Sequence, residues 1–130
     1  MTTSISSIPR STRALRLALA ACSAVATNTL VAFAASAFDD GGIGMGLSPV
    51  AYMPLTLIGI LAGAVGWTLI VRRAPRALRV IVPSVLVLTW IPDVLLLAAN
   101  ATAANVAGLM LMHTVVAAAV VLALKRTRTG

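Results

Sequence analysis

Residues 104–124 read ANVAGLMLMHTVVAAAVVLAL, an apolar run of 21 residues without a charge. A helix of this length extends about 32 Å at 1.5 Å per residue. The hydrocarbon core of a bilayer is about 30 Å thick, so an uncharged run of this length is typical of a transmembrane helix. The basic segment 125–130, KRTRTG, follows at once and predicts a short tail at the membrane surface.

Three further apolar runs precede this one. The start of the second run is ambiguous, because Ser48-Pro49 and Pro54 each resemble a helix start. Short connections place consecutive helices side by side and antiparallel. The sequence therefore predicts an all-α membrane protein, with four transmembrane helices forming an antiparallel bundle over residues 17–124. The predicted helices are about 17–38, 50–71, 80–98 and 104–124.

The composition agrees with this fold class. Of 130 residues, 60% are hydrophobic and 10% are charged, and the mean hydropathy is +1.03. Soluble domains have about 45–50% apolar and about 25% charged residues. These values exclude a disordered chain, a nucleic-acid-binding domain and an ordinary soluble globule. Cys22 is the single cysteine, and no Cys/His cluster has zinc spacing, so we expect no disulfide, metal or cofactor.

The charges predict the orientation. Ten basic and three acidic residues are present, and the basic ones lie in segments 10–16, 72–79 and 125–128. With both termini in the cytoplasm, all ten lie inside, and Asp39 and Asp40 lie outside, as the positive-inside rule requires. The Arg- and Ala-rich composition favours a bacterial source. We therefore predict a plasma membrane protein whose partner is the lipid bilayer, with residues 1–16 as a cytoplasmic tail.

A cleavable signal peptide is the alternative for the first helix. Ala35-Ser36-Ala37 has the small-x-small form of a cleavage site. The apolar run before it exceeds the 7–15 residues of a signal-peptide core. We therefore expect the first helix to be retained.

Three polar residues lie within the predicted spans: Asn28, Asp93 and His113. Counting from the helix ends places Asn28 and His113 near the midplane, and Asp93 about 6 Å nearer the outer surface. The short connection between the third and fourth helices predicts that Asp93 and His113 meet directly or through one water. Trp90 shares a helix face with Asp93 and either walls this polar site or fills space.

Two roles are open for these residues. A buried carboxyl group and a histidine can form a clasp between helices, and such contacts contribute about 0.6 kcal/mol on average. Alternatively, they form a proton-titrating site or a small polar pocket, since histidine is the side chain whose ordinary pKa lies near neutrality.

Small residues predict close helix packing. Gly59-x-x-x-Gly63, followed by Gly66, places three glycines on the second helix, and Ala104-x-x-x-Gly108 is a candidate complement on the fourth. We expect these residues to pack within the bundle rather than at a dimer seam. Tyr52 and Trp67, near the two ends of the second helix, fit the aromatic belts of a membrane protein.

Several of these residues together resemble a known family. Pro92-Asp93, the stretch LMLMH at 109–113, mid-helix Asn28 and the basic loop after the Gly-rich second helix are similar to those of small four-helix bacterial membrane proteins. These proteins form an uncharacterised family, defined by a domain of unknown function. The resemblance covers about residues 14–124. It implies four transmembrane helices and the polar positions Asn28, Asp93 and His113, and it implies no activity.

The sequence contains no nucleophile motif, phosphate loop or nucleotide fingerprint. We therefore predict a non-enzymatic integral membrane protein whose Asn/Asp/His site is a structural clasp or a small polar pocket. Such a protein can associate with itself or with a larger membrane complex. The alternative is a small proton-coupled transporter, which we expect to be dimeric because four short helices enclose little space. A cavity at Asp93 and His113 would favour transport, and a dry contact would favour the clasp.

Overall fold

The computed structural model describes residues 9–40, 44 and 46–125. Within this part of the chain, all regular structure is helical. The four long helices are α1 (Arg10–Ala37), α2 (Pro49–Arg73), α3 (Leu78–Leu95) and α4 (Ala103–Leu124). Short 3-10 turns, Pro75–Ala77 and Leu96–Ala99, extend α3 at its two ends. Each of the four segments is long and apolar enough to cross a membrane, which confirms the predicted fold class.

Some helix boundaries differ from the prediction. The helix α1 begins at Arg10 rather than Leu17, so the second half of the predicted tail is helical. The prediction placed the start at Leu17 because hydropathy detects only the apolar run. The helix extends further because arginine is also a good helix former. The α-helical part of α3 ends at Leu95, and Asn100, with a φ of 64°, closes the turn that follows. Residues 1–8 and 126–130 of the two predicted tails lie outside the described residues.

The start of α2 is resolved in favour of the first proline. Ser48 is extended, with a ψ of 145°, and Pro49 occupies the first helical turn. A proline is tolerated there because the N–H groups of the first turn have no partner within the helix. Pro54 lies inside α2, and the helix continues through it.

The helix α4 is the centre of the bundle. It contacts α1, α2 and α3, and its most extensive contact is with α1. The helices α1 and α2 also pack together, whereas α2 and α3 barely touch. Buried residues form one cluster in each half of the bundle. One consists of Ala24, Ile60, Val120, Ala123 and Leu124, and the other of Ala32, Ala35, Leu47, Tyr52 and Met112.

The two ends of the bundle differ in charge. The helices α1 and α3 begin, and α2 and α4 end, at what we call the basic end. Its basic residues are Arg10, Arg13, Arg16, Arg72, Arg73, Arg76, Arg79 and Lys125. At this end, Arg16 Nη2 lies 3.5 Å from the carbonyl oxygen of Leu122. At the opposite end, Asp39 is buried and Asp40 is exposed.

Glycine allows α4 to approach its neighbours closely. A Cβ at Gly59 would lie 3.0 Å from Val116, and one at Gly63 would lie 2.9 Å from Val120. Gly108 is equally close to α1, since a Cβ there would lie 2.8 Å from the Cβ of Ala35. Gly59, Gly63 and Gly108 therefore pack within the bundle.

Gly66 differs from the other three. A Cβ at Gly66 would meet no atom within 4 Å, so this glycine is not needed for close packing. The expectation that Gly66 packs with Gly59 and Gly63 was wrong. Its side of α2 faces a groove because α3 stands away from α2 here.

We predict opposite effects for alanine at these positions. Gly63→Ala should lower the free energy of unfolding by about 1–3 kcal/mol, because the new methyl group overpacks against Val120. Gly66→Ala should leave this free energy unchanged or raise it by up to about 1 kcal/mol, because space is free and alanine is the better helix former. Unfolding titrations in detergent micelles measure both. Equal destabilisation by the two variants would contradict the packing described above.

Candidate functional site

Asp93 and His113 are in direct contact between α3 and α4. The His113 Nδ1 and the Asp93 Oδ2 are 2.7 Å apart. Asp93 is buried, whereas the His113 side chain is 40% exposed. The short connection between the two helices brings the side chains together, as the sequence predicted. An ionised carboxylate only accepts hydrogen bonds, so it pairs with the tautomer in which Nδ1 carries the proton.

Trp90 makes a second polar contact between the same helices. Its indole Nε1 donates a hydrogen bond of 3.2 Å to the carbonyl oxygen of Met110. Trp90 therefore does more than fill space, and it binds the α4 backbone rather than Asp93. The buried residues of α3 are Leu78 and Asp93 alone, so these polar contacts are a large part of what holds α3 in place.

The structure does not bring Asn28 to this pair. Asn28 is fully buried, and its Nδ2 donates a hydrogen bond of 2.8 Å to Thr56 Oγ1 on α2. Beside it, Thr29 Oγ1 and the Tyr52 hydroxyl are 3.0 Å apart. We call Asn28, Thr29, Tyr52 and Thr56 the α1–α2 polar cluster. The expectation of a single Asn/Asp/His site was therefore wrong, because Asn28 faces α2 and the Asp93–His113 pair joins α3 to α4.

The polar cluster also corrects the interpretation of Tyr52. This side chain is 5% exposed and lies in the bundle interior, so it does not belong to an aromatic belt. Sequence analysis also missed Thr29 and Thr56. Their spacing in the sequence could have indicated the cluster, because Tyr52 and Thr56 are four residues apart and therefore share a helix face. The Oδ1 of Asn28 has no hydrogen-bond partner among the described residues.

Asp39 and Thr102 form another polar contact at the end opposite the basic end. Thr102 Oγ1 donates a hydrogen bond of 2.8 Å to Asp39 Oδ2. The same hydroxyl accepts from the backbone N–H of Asn105 at 3.1 Å and so caps α4. Asp39 therefore joins the end of α1 to the start of α4.

A groove of about 390 Å³ lies between α2, α3 and α4. It runs from His113, in the middle of α4, toward the basic end. Its other walls are almost entirely apolar. They include Gly66, Trp67, Leu78, Ile81, Val85 and Val121. Since α2 and α3 barely touch, the groove opens between them toward the side of the bundle.

His113 connects the polar pair to this groove. Its Nδ1 is engaged by Asp93, and its side chain lines the groove. The other ring nitrogen, Nε2, has no hydrogen bond with the described residues. Within the described residues, no three side chains of His, Cys, Asp or Glu are grouped so as to hold a metal ion.

The fold and these contacts define a class, that of multi-pass helical membrane proteins. The chain belongs to the family of unknown function DUF6069, whose model matches residues 8–130. The resemblance to an uncharacterised family is therefore confirmed. Comparison with curated proteins and with solved structures gives no match.

We predict that hydrogen bonding, rather than charge, makes Asp93 stabilise the fold. Asp93→Asn should unfold with a free energy within about 1 kcal/mol of the unmutated protein, because the amide oxygen still accepts from His113. Asp93→Leu should lose about 1–3 kcal/mol, because it leaves the His113 N–H unpartnered. Adding His113→Leu to Asp93→Leu should restore part of this loss, since both polar groups are then removed.

The measurement is again an unfolding titration in micelles. A value for Asp93→Leu equal to that of the unmutated protein would show that the pair does not hold α3 to α4.

Proposed function

We propose that this protein is a non-enzymatic membrane protein that binds a lipid-soluble molecule in the groove between α2, α3 and α4. In this proposal, the Asp93–His113 pair is both the clasp that holds α3 and the polar anchor of the ligand. The main support for this proposal is that His113 contacts both Asp93 and the groove. One ring nitrogen bonds Asp93, and the same side chain lines the groove.

The character of the groove supports an apolar ligand. A hydrophilic solute would exchange its hydrogen bonds with water for contacts with apolar walls, which costs several kcal/mol, about 2–7 per unpaired polar group. The opening between α2 and α3 gives a route from the side, and Val85, which lines the groove, is exposed. These features favour binding from the lipid phase over proton-coupled transport of a polar substrate.

We also propose that both termini are cytoplasmic and that the membrane is a bacterial plasma membrane. The basic residues gather at one end of the bundle, whereas Asp39 and Asp40 lie at the other. The extensive contact between α1 and α4 supports retention of the first helix, because its removal would expose the centre of the fold.

Reporter fusions test this orientation. Fusions after Arg76 and after Gly130 should report cytoplasm, and fusions after Gly44 and after Ala101 should report the outside, because basic loops remain on the cytoplasmic side. A cytoplasmic signal from the Gly44 fusion would reverse the proposed topology.

A variant that fills the groove tests ligand binding. Gly66→Leu places a large side chain in open space along the groove, so it should exclude a ligand without disturbing the packing of α2 on α4. Ala26→Leu is the matched control, because Ala26 is exposed on α1 away from the groove. Native mass spectrometry of protein purified in mild detergent should show a bound lipid-soluble molecule in the unmutated protein and in Ala26→Leu. This mass should be absent from Gly66→Leu, and its equal retention by both variants would contradict the proposal.

A further inference from the structure

The geometry of the groove points to a chemical class of ligand. We infer that the groove binds an isoprenoid quinone, in its oxidised or reduced form, with a ring oxygen hydrogen-bonded to His113 Nε2. This inference rests on the proposed function, because it names the molecule that the groove would hold.

The depth of His113 restricts the ligand. The helix α4 has 22 residues, about 33 Å at 1.5 Å per residue, and His113 is at its middle. If α4 crosses a hydrocarbon core about 30 Å thick, His113 lies close to the bilayer midplane. A phosphate or other charged head group is strongly disfavoured there. The polar part of the ligand must therefore be uncharged and small, as a quinone ring is.

The polarity of the walls restricts the ligand further. Apart from His113, two wall residues carry polar groups: Thr89, whose hydroxyl donates a 2.7 Å hydrogen bond to the carbonyl oxygen of Leu86, and Trp67, nearer the basic end, which has an indole N–H. The groove thus offers few polar groups, with His113 at one end, and apolar surface along most of its length. A molecule with a polar ring and a long hydrocarbon tail matches this pattern.

The wall of the groove on α2 suits a flat ring. Near His113 this wall includes Ala62, which carries a single methyl group, and the backbone of Gly59 and Gly63, whose side-chain positions are covered by Val116 and Val120 of α4. No large side chain of α2 therefore projects into this part of the groove, which leaves room beside His113 for a flat group. Trp67, nearer the basic end, adds a broad apolar face beside the path of the tail.

The hydrogen-bonding capacity of His113 matches both forms of a quinone. When the ring carries both protons, Nδ1–H donates to the Asp93 carboxylate and Nε2–H donates to a quinone carbonyl. When the ring carries one proton, on Nδ1, Nε2 accepts from a quinol hydroxyl. A single histidine can therefore bind the oxidised and the reduced head group in the same position.

The main competing occupant is a phospholipid acyl chain that enters from the basic end, where its phosphate would meet arginine. Its terminal methyl group would then lie against His113 and leave Nε2 without a partner. A ring oxygen would give Nε2 a hydrogen-bond partner that an acyl chain cannot supply, so the observations favour the quinone. A phospholipid is one of the outcomes that the experiment distinguishes.

Tryptophan fluorescence provides the test, because Trp67 lines the groove and Trp90 lies one helical turn from Asp93. The protein is reconstituted in phosphatidylcholine–phosphatidylglycerol vesicles and titrated with a short-chain menaquinone, which quenches tryptophan. We expect saturable quenching for the unmutated protein and for Ala26→Leu. Gly66→Leu should show only the linear quenching of random encounters, because its groove is filled.

The head-group contact is tested separately. The Asp93→Leu/His113→Leu variant should bind menaquinone about tenfold more weakly, as expected for the loss of one hydrogen bond. Squalene, an isoprenoid without a polar ring, should compete poorly with menaquinone on the unmutated protein. The squalene comparison does not require any variant to fold.

Four results would overturn the inference. Full displacement of menaquinone by equimolar squalene, or full affinity in the double variant, would show that the groove binds hydrocarbon without recognising a polar ring. Absence of saturable quenching, with a phospholipid mass still lost in Gly66→Leu, would assign the groove to a phospholipid. The groove would then still bind a lipid-soluble molecule, but His113 would not anchor it. Loss of both signals would reject the groove as a binding site.

Discussion

Close approach to α4 is the constraint on which the bundle depends. Between helices in lipid there is no hydrophobic driving force, so association relies on van der Waals packing and hydrogen bonds. The contacts of Gly59 and Gly63 with valines of α4, and of Gly108 with Ala35 of α1, provide this packing. The apolar residues left exposed elsewhere, Phe33 among them, carry no penalty where the surrounding solvent is hydrocarbon.

Hydrogen bonds supplement this packing unevenly. The helix α1 is held by an extensive interface with α4 and by the Asn28–Thr56 contact with α2. The helix α3 has few buried residues, and two side-chain hydrogen bonds join it to α4, one from His113 to Asp93 and one from Trp90 to Met110. The groove exists because α3 is separated from α2, and the pair that secures α3 also supplies the groove with a polar group.

The fold was predictable because long uncharged runs, such as residues 104–124, leave few alternatives to membrane-spanning helices. The Asp93–His113 contact was predictable because a short connection makes α3 and α4 neighbours. The partner of Asn28 was not, because the sequence does not specify which face of α1 meets α2. The same limit applies to Gly66, whose role depends on how far α3 stands from α2. Arg10 was missed as a helix start because hydropathy does not register a basic helical turn.

The buried residues of α3, Leu78 and Asp93, lie near its two ends, and the middle of the helix forms one wall of the groove. The middle of α3 also has features that favour bending. Pro83 cannot donate the backbone hydrogen bond that would reach the carbonyl oxygen of Arg79. The adjacent Ser84 hydroxyl donates to the carbonyl oxygen of Val80 at 2.7 Å, a contact that bends helices. Bending of α3 here would widen the opening between α2 and α3 while the contacts of Leu78 and Asp93 remain in place. The stiffness of this one helix would then limit the size of molecule that can enter the groove.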